Sequence, residues 1–275
     1  EHKVNLRTKE LNKEKSKVEK QNKQIMQSIN YAKRIQESIL PSNELLKDFF
    51  SDHFVYYQPK DVVGGDFYWF RSFDNIAAIA VVDCTGHGVP GGFMSMMGSL
   101  LLDKIVQRNN LDTSKILSEL NDEIIRVLKQ ENEGSMQDGM DLSLCVIDKK
   151  NNELSFSGAR NGIFVLEENN EKCYDADLIP VGGYYSQKSK KINRFYSTQS
   201  IKLKENSWVF MYTDGYYDQL GGKNMHSLGM DLFLSHLTKA VKGKERRVEV
   251  LKQEYSQWRD KFPPIDDVLV VGFQI

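Results

Sequence analysis

Cysteine is scarce: three in 275 residues, Cys84, Cys145 and Cys173, odd in number and without a Cys-x-x-Cys pair. That excludes a disulfide framework and a thiolate zinc site, and it makes a reducing cytoplasm the expected setting. Long apolar runs are absent too. The longest, Ile76 to Val82, falls far short of the ~20 residues that a membrane span needs, and the basic start lacks the apolar stretch of a signal peptide. Neither secretion nor a membrane segment is therefore expected from these residues. Repeats and low-complexity tracts are also missing.

What is present divides into two unlike parts. Residues 1–40 hold ten Lys or Arg against five Glu, whereas the remainder is net acidic. The lysines alternate with glutamates at helical spacing and the segment carries a single aromatic, Tyr31, so a solvated helix face is favoured over a nucleic-acid contact. Val4, Leu11, Val18, Ile25, Ala32 and Ile39 recur every seventh residue, joined late by Ile29 and Ile35, and Pro41 ends the pattern. A coiled-coil helix over 1–40, pairing as a homodimer, is predicted. Its seam is narrow, because Arg7, Glu14 and Gln21 occupy the companion positions, so the pairing is marginal. The segment starts in mid-helix, which suggests a sensor domain upstream.

Beyond Pro41 the texture changes. Phe54–Gln58, Phe67–Phe73, Ile76–Val82, Leu142–Asp148, Leu154–Ser157, Ile163–Leu166, Trp208–Tyr212 and Val268–Phe273 are short β-branched and aromatic runs, some joined by tight turns such as Asp74-Asn75 and Asn151-Asn152. Two helical patterns lie between them, Phe93–Val106 and Ile116–Leu128, the second with Asp112 and Thr113 as cap candidates. Strand blocks around a helical pair predict an α+β sandwich over residues 41–275.

Several aspartates sit at strand ends beside glycine: Asp66 after Gly64-Gly65, Asp83 after the run from Ile76, Asp214 before Gly215, and Asp266 and Asp267 ahead of the last strand. Each alone is ordinary turn chemistry. Together, without thiolates or paired histidines, they suit hard, water-retaining cations, Mg²⁺ or Mn²⁺. Two such ions activate a water and clamp the oxygens of a displacement at phosphorus. The loop after Asp83 adds His87 and four glycines, Gly86, Gly88, Gly91 and Gly92.

The segments "VVGGDFYWF", "VVDCTGHGVPGGFMS", "MDLSLCVID", "FSGARNGIFVL", "VFMYTDGYYD" and "DDVLVVGF", in that order, resemble the metal-dependent protein phosphatase (protein phosphatase 2C-like) superfamily in its bacterial stage II sporulation E-type branch, from about Leu40 to Ile275. The resemblance implies an α-β-β-α sandwich of two mainly antiparallel sheets flanked by helices. It implies a two-ion Mn²⁺ or Mg²⁺ site that hydrolyses phosphoserine or phosphothreonine on a partner protein, such as an anti-sigma-factor antagonist. Such a domain would be the cytoplasmic output of a sensor, itself free or membrane-anchored.

Carried over by position, Asp66 and Asp83 would hold both ions and their bridging water, with Cys84 offering only its backbone carbonyl. Asp214 and Asp266, with Asp267 as the register alternative, would complete the set, and Asp141 lies near where some relatives add a third ion. His87 stands four residues after Asp83 rather than two, which weakens its match to the general acid of eukaryotic relatives. Asp218 takes the place of the usual glutamate. Tyr174–Phe195 is a candidate substrate-facing flap. Three other readings compete: a nucleotide loop, against which "GHGVPGG" lacks both common fingerprints; a catalytically silent module of the same fold; and a coiled-coil adaptor.

Overall fold

In the computed structural model, the described residues are 2–108, 111–130, 137–168, 170–183, 195–243 and 246–275, less the side chains of His2 and Leu6. The chain begins with α1 (His2–Ile39) and the short α2 (Asn43–Phe49), then β1 (Asp52–Gln58), β2 (Phe67–Phe73) and β3 (Ile76–Cys84). Two helices follow, α3 (Gly88–Val106) and α4 (Thr113–Val127). Next come β4 (Gly139–Asp148), β5 (Glu153–Ala159), β6 (Ile163–Glu167), β7 (Asn170–Tyr174), β8 (Val181–Gly182), β9 (Gln199–Lys202) and β10 (Trp208–Tyr212). The chain closes with β11 (Leu220–Gly221), β12 (His226–Ser227), α5 (Met230–Lys242), α6 (Arg247–Arg259) and β13 (Val268–Gln274).

Among the described residues the strands form two large antiparallel sheets, ordered β1-β13-β10-β6-β7 and β2-β3-β4-β5-β9 with β8 added beside β4, and a separate small pair, β11-β12. The uninterrupted apolar run of β3 is explained by burial on both faces. Ala77, Ile79 and Val81 enter the core between the sheets, while Ala78, Ala80 and Val82 face α3 and α4. On the far side, α5 and α6 cover the first sheet through Phe233, Leu237, Leu251 and Tyr255. The α-β-β-α sandwich is thus the observed fold.

Local chemistry sets the boundaries. Asp112 caps α4 by accepting the Lys115 amide, as its sequence position suggested. Asp74 and Asn152 take left-handed backbone angles in the β2–β3 and β4–β5 turns, a conformation that Asp and Asn tolerate. Several strands and α4 differ from expectation by a few residues at their ends, and two of the boundary differences bear on the site. Strand β3 runs through Asp83 to Cys84, because Asp83 and Cys84 pair with Asp141 and Met140. Helix α3 starts at Gly88 rather than Phe93, so Gly88, Gly91 and Gly92 belong to its first turns and not to a loop.

The long helix is exposed along Val4, Leu11, Val18 and Ile25. Its last turns face the sandwich instead, with Gln36 3 % exposed and Ile29, Ala32, Ile39 and Leu40 partly covered. The apolar stripe read from sequence therefore serves two surfaces, an open one early and the domain late. No helix among the described residues is long and apolar enough to cross a membrane.

Candidate active site

Strand register gathers the aspartates at one end of the sandwich. Phe67 pairs with Val82, which puts Asp66 beside Asp83, and Asp83 pairs with Asp141. In the other sheet Tyr212 pairs with Val270, so Asp214, just past β10, returns toward Asp266 and Asp267, just before β13.

Glycine makes the approach possible. A Cβ on Gly65 would collide with the Gly86 carbonyl and sit 3.2 Å from the Cys84 carbonyl; one on Gly91 would meet that same Gly86 carbonyl and lie 2.8 Å from the Gly65 Cα. A Cβ on Gly215 would collide with the Asp267 carbonyl. The strand-end segments touch through bare backbone, which no other residue allows.

Asp66 is 2 % exposed and its Oδ2 has no hydrogen-bond partner. Its backbone carbonyl accepts the Tyr57 hydroxyl at 2.9 Å. Burial pushes the Asp66 carboxyl well above its usual range, and the charges of Asp267, Asp266 and Asp214 add to the shift. Asp83 is pushed up to about 10, by burial first and then by Asp66, Asp214, Asp266 and Asp141. Asp214 rises to about 6 through burial and the charges of Asp266, Asp218 and Asp141. Burial and Asp266 also raise Asp218. Acidic groups this crowded and dehydrated resist ionising together unless cations join them.

The paired aspartates before β13 separate in role. Asp267 is 2 % exposed and spends both oxygens on backbone, accepting the Lys60 amide at 2.7 Å and the Gly65 amide at 2.5 Å. Asp266 accepts the Asp267 amide at 2.8 Å and acts electrostatically on Asp66, Asp83, Asp214 and Asp218. The Cys84 side chain packs into the core beside α3 and α4, its thiol pushed up by burial. His87 sits at the N-cap of α3 and shares a 2.6 Å hydrogen bond between Nδ1 and Asp61 Oδ2. Much of the candidate flap, 184–194, lies outside the described residues.

The donor set fits hard divalent cations: an orphaned buried carboxylate oxygen with further carboxylates acting on it. Among the described residues, no three His, Cys, Asp or Glu side chains stand so that they could hold one ion between them. Mg²⁺ and Mn²⁺ tolerate this, because they bind through a few carboxylates and keep water for the remaining positions.

Three residues near the cluster were not singled out in the sequence. Gln36 of α1 donates to the Gly64 carbonyl at 2.6 Å and to Ser95 Oγ of α3 at 2.8 Å, and accepts the Gly64 amide at 3.3 Å. A glutamine between Ala32 and Ile39 on a covered stripe was the available signal. Arg160 lies 3.6 Å from Asp141 Oδ2. Arg160 lay within the segment FSGARNGIFVL without being given a role, and Asp61 carried no pattern to mark it.

The sequence profile of the Stage II sporulation protein E (SpoIIE) family matches residues 74–275. The chain belongs to the SpoIIE family. Among solved structures, the SiaA-PP2C domain of Pseudomonas aeruginosa is 26% identical, with a TM-score of 0.80 over 92% of this chain and 98% of that one. The PP2C phosphatase domain of SpoIIE from Bacillus subtilis, solved with a fragment of its regulatory domain, is 19% identical, with a TM-score of 0.61 over 81% of this chain and 61% of that one. RsbX, solved in complex with magnesium, is 15% identical, with a TM-score of 0.53 over 81% and 94%. Comparison with curated proteins finds no match. This SpoIIE-family chain thus has the PP2C-like phosphatase fold, with the aspartate cluster at the ends of β3 and β10 and ahead of β2 and β13.

Proposed function

We propose that the chain is a metal-dependent phosphatase for phosphoserine and phosphothreonine on a partner protein. The observation that carries this reading is Asp66: a buried carboxylate with an unpartnered oxygen, surrounded by like charges. Asp66 and Asp83 would be shared between two Mn²⁺ or Mg²⁺ ions, with Asp214 and Asp266 completing the set and the Cys84 carbonyl alongside. Bound there, the ions supply an activated water and neutralise charge on the phosphoryl oxygens. Asp267 is assigned a positioning role, since its oxygens hold the Lys60 and Gly65 amides and through them the loop that carries Asp66. Asp141 is left outside the two-ion set, its carboxylate facing Arg160.

His87 is the candidate proton donor to the departing serine or threonine oxygen. Asp61 fixes its Nδ1, which leaves Nε2 as the nitrogen that exchanges a proton. The exposed stripe of α1 pairs two copies of the chain, and the regulated substrate is a phosphorylated signalling protein, with an anti-sigma-factor antagonist as the first to try. Purified protein should release phosphate from phosphoserine or phosphothreonine peptides with Mn²⁺ and stop under chelation. Asp83→Asn and Asp214→Asn should abolish turnover, while His87→Ala retains more. Full activity in either aspartate variant overturns the ligand assignment; an inactive wild type that binds Mn²⁺ favours the silent module.

A further inference from the structure

The turn between β5 and β6 brings a cation to the rim of the carboxylate cluster. Arg160, immediately after β5, has φ +60, a left-handed conformation that side chains other than Asn and Asp adopt rarely. The surroundings hold it there. Its amide donates to the Asp177 carbonyl at 2.7 Å, and it bridges to Leu142 of β4, the neighbour of Asp141. Asp141 in turn stands opposite Asp83.

The simplest role for Arg160 is a brace for Asp141. A 3.6 Å contact from a side chain that is 55 % exposed is a loose brace, however, and among the described residues it leaves most of the guanidinium's donors unspent. The same turn contains another unspent donor: Asn161 is 8 % exposed and its side-chain nitrogen Nδ2 has no partner among the described residues. A site built from carboxylates repels a phosphate dianion, so a cation at its rim has an evident use.

We propose that Arg160 holds the phosphoryl oxygens of the substrate, offering its planar fork of N–H groups to two of them. The substrate class, a phosphomonoester, rests on the phosphatase reading above. The guanidinium swings from Asp141 to the incoming group, and the strained backbone keeps its side chain aimed at the rim rather than along the strand.

The test uses the full chain and inorganic phosphate as probe, titrated calorimetrically into the protein with Mn²⁺ present. Arg160→Asn, which accepts the left-handed backbone, and Arg160→Lys, which keeps a charge without the fork, are compared with wild type, and Mn²⁺ binding is titrated in parallel. Arg160→Asn should weaken phosphate binding about tenfold or more, the loss of a charge-assisted pair of hydrogen bonds, and raise KM for a phosphopeptide by a similar factor. Arg160→Lys should fall between, and Mn²⁺ affinity should stay within about twofold, since Arg160 binds no ion here. Unchanged phosphate binding in Arg160→Asn overturns the proposal, as does no phosphate binding by wild type. A loss confined to Mn²⁺ affinity also overturns it, because that is the signature of a brace for Asp141. Arg160-dependent phosphate binding in a protein without turnover would sustain this inference and sink the phosphatase reading; turnover with Arg160-independent phosphate binding would do the reverse.

Discussion

Asp266 and Asp267 are adjacent in sequence, yet replacing each by alanine should have very different effects on stability. Asp267→Ala removes the acceptor of two backbone N–H groups, at Lys60 and Gly65, in a place where the carboxylate is 2 % exposed. Each stranded donor costs about 1–3 kcal/mol, so the loss is about 2–6 kcal/mol. At about 2–4 °C per kcal/mol for a domain of this size, the melting temperature should fall by on the order of 10 °C, with or without metal. Asp266→Ala instead deletes a charge that raises Asp66, Asp83, Asp214 and Asp218. Removing a like charge from a dehydrated cluster relieves repulsion, which offsets the single Asp267 amide that the change strands, so the metal-free protein should melt close to wild type and well above Asp267→Ala. What it should lose is the upward shift on adding Mn²⁺, which at a hundredfold excess over Kd amounts to about 2.7 kcal/mol. Differential scanning calorimetry of both variants, in EDTA and in Mn²⁺, measures all four quantities. If Asp266→Ala melts as low as Asp267→Ala in EDTA, or keeps the full Mn²⁺ shift, the division of roles is wrong.

Further outcomes follow from other parts of the molecule. Gln36→Leu should leave the Gly64 amide and carbonyl and Ser95 without their partner, lowering stability by about 2–5 kcal/mol and weakening Mn²⁺ binding through the loop that carries Asp66; unchanged calorimetric Mn²⁺ affinity would disconnect α1 from the site. Because Asp214 and Asp83 have folded-state pKa values raised to about 6 and about 10, their contribution to stability is present below about pH 4 and is lost as pH rises through those values. In EDTA the melting temperature of wild type should therefore decline from pH 5 toward 8 more steeply than that of Asp83→Asn, and equal slopes would refute the clustering. Val18→Asp with Ile25→Asp should give a monomer by light scattering while melting of the sandwich stays put, since both side chains are exposed on α1. A deletion meant to isolate the sandwich has to stop before Ile29, because removing all of residues 1–40 takes Gln36 and Leu40 with it.

The sequence by itself determined the parts of this protein whose pattern is local and repeated. Seven apolar residues in a row pointed to a buried strand, the heptad stripe to Pro41 required one long helix, and the ordered glycine–aspartate motifs pointed to a SpoIIE-type phosphatase sandwich. Helices α2 and α6 and the short strands β7, β8, β9, β11 and β12 were not read, since brief or weakly patterned segments take their conformation from what they pack against, and α5 was missed although Phe233, Leu237 and Ala240 recur at helical spacing. Tertiary structure alone decided the finer matters. It sent Asp267 into backbone amides and left Asp266 to the cluster, paired His87 with Asp61, turned the last stripe of α1 inward so that Gln36 grips Gly64, and set Arg160 beside Asp141. The physical reason is the same in each case. A hydrogen bond or a charge contact is fixed by distances of a few ångströms between residues that are, for Asp267 and Gly65, 202 positions apart, and such distances exist only once β-strand register has brought the chain's remote ends together.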